Sequence, residues 1–129
     1  MGQQQLLLVI LTVIIVGIAI AAGMTMFTAQ SVQANKDAII NDLNNIAAHA
    51  YQYRLRPKSM NGGAGSYAGF AIPSQLASNA NASYTCTPTP DGVEFTAVSV
   101  TNTVNKVIAS IDSDGKFIQT SWSYTGDFQ

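Results

Sequence analysis

The stretch "MGQQQLLLVILTVIIVGIAIAAGMTMF" opens the chain, and no charged side chain precedes Lys36 and Asp37. Within residues 6–27 the only polar side chains are Thr12 and Thr25. In water such a run has no stable isolated fold, because it has no polar face to turn outward. As a helix, 22 residues at about 1.5 Å each span roughly 33 Å, which matches a bilayer hydrocarbon core of about 30 Å. A cleaved secretory signal is the competing reading, but its apolar region is shorter, about 7–15 residues, and follows positive charge. The run is therefore expected to enter a membrane as a helix.

Orientation is unusual. Cytoplasmic flanks carry an excess of Lys and Arg, yet "MGQQQ" holds none, whereas Lys36, Arg54, Arg56 and Lys58 all follow the run. Taken literally, that places the body of the chain inside the cell. Removal of a short basic leader, with Met1 as a processed N-terminus, also accounts for the missing flank and is the expectation adopted here. Gly17, Ala19, Ala21, Ala22 and Gly23 gather in the second half of the run, and small residues let helices approach closely in an apolar medium.

Nothing ends the helix at Phe27. "TAQSVQANKDAIINDLNNIAAHAYQYRLR" has no Pro or Gly, and Val32, Ile39, Leu43, Ile46, Ala50 and Tyr53 recur at spacings of 7, 4, 3, 4 and 3. That is one face of an amphipathic helix, ending before Pro57 with Arg54 and Arg56 in its last turn, where they favour the negative end of the dipole. Residues 1–53 thus read as one long helix, apolar over 6–27 and amphipathic over 28–53. Residues 54–82 read as a Gly/Ser/Asn-rich loop, pinned by Tyr67, Phe70 and Ile72. Residues 83–129 read as a β head, with strand-like runs "YTCTPT", "VEFTAVSV", "KVIASID" and "KFIQTSWSY" separated by "TPDG", "NTVN" and "SDG". The fold class is α+β: a long helix packed through Ile39, Leu43, Ile46, Ala50 and Tyr53 on a three- or four-stranded antiparallel meander.

The remaining chemistry is sparse. Net charge is −1 with 10% charged residues, which leaves no cationic surface for nucleic acid. With one cysteine, Cys86, no intrachain disulfide can form, and the residue reads as a small buried side chain. His49, the only histidine, lies on the polar side of the helix without ligand partners at metal-binding spacing. "DSDG" at 112–115 lacks the downstream glutamate of a calcium loop and reads as a hairpin turn. "GGAG" opens no helix after a strand and is no phosphate cradle, and Asp91 with Glu94 flanks a turn. An enzyme is not expected, nor is any cofactor or metal. "NAS" at 81–83 makes Asn81 a candidate glycosylation site.

In order, the apolar segment, the continuing amphipathic helix, the glycine-rich loop and the short antiparallel sheet resemble a type IV pilin across the whole chain. At residue level the resemblance lies in "LLLVILTVIIVGIAIAAGM", similar to the pilin N-terminal helix. It implies a structural subunit of an extracellular filament, a helical homopolymer inserted in the inner membrane before assembly. It also implies processing by a prepilin peptidase, methylation of the new N-terminus and partners in a pilus assembly machinery. The residues expected to carry assembly are Met1, Gln5, Leu8, Leu11, Ile15, Gly17, Ala21 and Gly23.

Three features depart from the family pattern. Gln5 stands where a mature pilin carries glutamate; it can accept a hydrogen bond but has no charge. Cleavage after Gly2 would instead put Leu7 at that position. The membrane-segment proline and the C-terminal disulfide loop are also absent. A minor pseudopilin of a secretion system and a signal-anchored extracytoplasmic binding domain are the alternatives. Adhesion, motility, DNA uptake and conduction are left open.

Overall fold

A computed structural model describes residues 2–129. Its first element, α1, runs without interruption over Gly2–Leu55. Four strands follow: β1 (Ala82–Thr89), β2 (Gly92–Ser99), β3 (Lys106–Ile111) and β4 (Ser123–Thr125). They form one antiparallel sheet in the order β1-β2-β3-β4, a meander in which each strand pairs with the next. The fold is α+β, as expected. The chain divides into two compact units, Met1–Gln33 and Ala34–Gln129; the second is called the head below.

The head is built by matching two periodicities. On α1, Ile39, Leu43, Ile46, Ala47 and Ala50 are buried, and spacings of three and four place them on one face. On the sheet, Val93, Phe95 and Ala97 of β2 and Val107, Ala109 and Ile111 of β3 are buried, alternating along each strand. The register sets Phe95 opposite Ala109 and Ala97 opposite Val107, so small and large side chains interleave beneath the helix. Each large aliphatic side chain buried this way contributes roughly 1.5–3 kcal/mol.

The glycine-rich loop has a definite task at the end of α1. A helix leaves its last carbonyls unpaired, and the loop folds back to supply donors. Gly63 N–H donates to Tyr53 O at 2.8 Å, Ala64 N–H to Arg56 O at 2.9 Å and Gly65 N–H to Arg54 O at 2.7 Å. A Cβ on Gly63 would stand 1.7 Å from the Ser66 carbonyl oxygen, so only glycine allows this approach. Tyr67 and Phe70 are buried beyond it, with Ile72 half-buried.

The last expected strand is corrected. "KFIQTSWSY" does not run as one strand: Phe117 makes an isolated bridge to Ile111, Gln119–Ser121 forms a 3-10 turn, and β4 covers only Ser123–Thr125. The reason is Ser121, whose hydroxyl oxygen accepts the Ser110 N–H at 2.9 Å and donates to the Ile118 carbonyl at 2.6 Å. A side chain thereby replaces the backbone partner that a continuous strand would have supplied.

Candidate assembly surface

Residues 6–27 form the surface to be explained. The segment is rich in Val and Ile, which are only fair helix formers. Where water is absent, however, a single segment can satisfy its own backbone only as a helix. The hydroxyls conform to the same demand: Thr12 donates to Leu8 O at 2.7 Å, Thr25 to Ala21 O and Thr28 to Met24 O, each at 3.0 Å. Those three side chains need neither water nor a partner.

No part of this surface is covered. Its large apolar side chains range from 49% exposed at Val16 to 74% at Phe27. The helix is long and apolar enough there to cross a membrane. Monomeric soluble proteins rarely expose contiguous apolar patches beyond a few hundred Å2, so this one meets lipid or protein.

The residues expected to carry assembly do not share one face. Leu8, Leu11 and Ile15, spaced three and four, line up on one side of the helix. Gly17 and Ala21 stack one turn apart on another side. Gln5 and Gly23, five turns apart, occupy a third. All seven are exposed, and Met1 lies outside the described residues. A Cβ added to Gly17 or Gly23 meets nothing within 4 Å. Glycine inside a helix costs about 1 kcal/mol relative to alanine, and nothing among the described residues requires it at these two positions.

In the head, Ile39, Leu43, Ile46 and Ala50 are at most 1% exposed. Tyr53 is half-buried at the edge of their face; its hydroxyl donates to Ala68 O at 3.1 Å and its ring centroid lies 5.5 Å from that of Phe70. Asn81 is also half-buried. Its side-chain nitrogen donates to Asp42 at 3.4 Å, and its carbonyl accepts from Asn35 and from the Val100 N–H. His49 is exposed. Cys86 is a half-buried free thiol, and burial pushes its pKa up, away from the reactive thiolate. In the "DSDG" turn, Asp112 Oδ1 accepts the N–H groups of Asp114 and Lys116.

Two polar clusters escaped the sequence reading. Asp42 Oδ2 accepts from the Tyr84 hydroxyl at 2.6 Å and from Asn79 Nδ2 at 2.8 Å. Asn35 Oδ1 accepts from the fully buried Ser99 hydroxyl at 2.7 Å. Both tie α1 to the head across more than thirty positions of sequence. The only signal was the density of Asn around 41–45 and 79–81, which names no partner.

No protein-family model matches the chain, and neither a curated protein nor a solved structure is significantly similar to it. The likeness to a type IV pilin therefore rests on architecture: one long N-terminal helix, apolar in its first half, and a small antiparallel sheet packed on its second.

Proposed function

We propose that this chain is the main structural subunit of an extracellular type IV pilus-like filament, polymerising through the helix over 6–27. The observation that carries the reading is that every large apolar side chain of that helix is exposed, while the head buries a core of its own. Before assembly the apolar surface rests in a membrane; after extraction by an assembly machinery, it is buried again between the helices of neighbouring copies. With some fifteen large apolar side chains at roughly 1.5–3 kcal/mol each, burial relative to water is worth tens of kcal/mol. The step from lipid to filament gains far less, since lipid already shields the same surface. A filament of this kind would hold its subunits against release into water.

Gly17 and Gly23 support this reading, because a glycine with open space around it permits a second helix to come close. Gly17→Leu keeps the segment apolar, so insertion into the membrane is expected to stay at the wild-type level. Filament yield is expected to drop at least tenfold. Unchanged filament yield would remove the close helix contact from the mechanism. The completeness of the head core favours one second reading, an anchored extracytoplasmic domain that never leaves the membrane. In the same assay, that domain would give wild-type protein in the membrane fraction alone.

A further inference from the structure

Of the asparagines in this chain, only Asn61 is followed by glycine. Asn–Gly is the pair in which the backbone nitrogen attacks the side-chain amide most readily, because glycine puts no side chain in its path. Asn61 is exposed, and its side-chain amide has no hydrogen-bond partner among the described residues. An open cleft lined in part by Lys58, Asn61 and Gly62 gives water access to the pair.

The backbone favours both residues at these positions. Asn61 closes the 3-10 turn Lys58–Met60 in the left-handed region, at φ 58° and ψ 36°, a conformation that asparagine tolerates better than most residues. A Cβ at 62 would collide with the Cβ and carbonyl oxygen of Arg56, so that position admits only glycine. The turn that ends α1 builds a labile pair into its own sequence.

The same turn restrains that pair. Four successive amides fold back on the end of α1: those of Gly62, Gly63, Ala64 and Gly65 donate to the carbonyls of Pro57, Tyr53, Arg56 and Arg54 at 2.7–3.1 Å. The Gly62 nitrogen, the attacking atom, is the first of the four. Its N–H is committed to Pro57 O, and the Asn61 N–H to Lys58 O, each at 3.1 Å. With ψ at 36°, the Gly62 nitrogen lies nearly trans to the Asn61 Cβ about the Cα–C bond, whereas ring closure needs the two eclipsed. Asn61 must therefore turn about ψ and the Gly62 nitrogen must leave Pro57 O before the pair can react. Local opening of this kind costs less than global unfolding.

We propose that Asn61 is a site of spontaneous deamidation gated by the glycine-rich cap of α1. When the cap opens, the Gly62 nitrogen bonds to Asn61 Cγ, and the side-chain nitrogen leaves as ammonia with the proton lost from Gly62. Water then adds across either C–N bond of the cyclic imide, giving aspartate or isoaspartate at 61 and a new carboxylate. Isoaspartate lengthens the main chain by one carbon at residue 61. The four donors then lose register with their carbonyls, and the cap cannot reclose in its original form. The conversion is one-way, and neither membrane insertion nor assembly enters it.

The test follows the full-length chain in detergent micelles at mildly alkaline pH, beside the same chain unfolded in guanidinium. Position-resolved peptide mapping reads aspartate plus isoaspartate at 61. Conversion is expected to be at least tenfold slower in the folded chain than in the unfolded one. Gly63→Ala, which sets a Cβ against the Ser66 carbonyl, is expected to raise the folded rate at least threefold. Tyr53→Phe removes the hydroxyl's bond to Ala68 O; it is the gentler variant and acts in the same direction should the first fail to fold. Equal rates in the folded and unfolded chains overturn the gate, as does a folded rate that neither variant changes. An Asn61 that stays intact in the unfolded chain overturns the site itself.

Discussion

Asp42 shows how one residue on the polar side of a helix organises a head. One carboxylate oxygen accepts from Tyr84 and Asn79 at close range, with Asn81 at the limit of bonding, joining helix, loop and first strand. The Tyr84 phenol is pushed above its ordinary pKa, first by burial and then by its bond to Asp42. A phenol held protonated in the folded state contributes its full stability below about pH 10 and loses it as pH rises further, because the unfolded chain ionises first. Chemical denaturation between pH 8 and 11 should therefore show a fall in stability above pH 10. Tyr84→Phe should be less stable at neutral pH by about 1.5–3 kcal/mol, the range for a hydrogen bond to a charged group. It should also lose part of the alkaline decline; an unaltered decline would separate Tyr84 from it. Glycine gives a second contrast at this scale. Gly63→Ala meets a backbone oxygen and should destabilise the head by about 1–3 kcal/mol, whereas Gly17→Ala meets nothing and should leave the thermal midpoint of the head unchanged.

At the scale of elements, what could be read early was whatever periodicity encodes. The spacing from Ile39 to Ala50 announced the buried face of α1, and the alternation in "VEFTAVSV" and "KVIASI" announced two central strands. The failure of "KFIQTSWSY" as a strand has a physical cause that composition hides: Phe117, Ile118, Thr120, Trp122 and Tyr124 are good strand formers, but Ser121 offers the ladder a side-chain partner. The glycine-rich loop was legible as a non-helix and illegible as a helix cap, because capping depends on which carbonyls come within reach. Leu43→Ala tests the packed face directly. It should cost about 2–5 kcal/mol in denaturant unfolding, while His49→Ala on the exposed side should stay within about 0.5 kcal/mol. Equal effects at both positions would contradict the assignment of the buried face.

For the molecule as a whole, the apolar segment over 6–27 was more legible than the head, because it is defined by composition alone: an uncharged segment of membrane-spanning length is plain in the letters. What covers it was not, since no covering atoms lie among the described residues. The polar ties Asp42–Tyr84 and Asn35–Ser99 were hidden for a similar reason, their partners being distant in sequence. Residues 34–129 carry a complete core, so expressed without the first 33 residues they should form a soluble monomer with a cooperative thermal transition. Light scattering and calorimetry would check this, and an aggregated or unfolded fragment would show that the head depends on the segment removed. The most direct measurement is electron microscopy of material sheared from producing cells, with mass spectrometry of its main protein. Filaments composed chiefly of this chain are the result that the filament reading predicts. Cells that hold the chain in abundance in their membranes and yield no filaments containing it would contradict that reading.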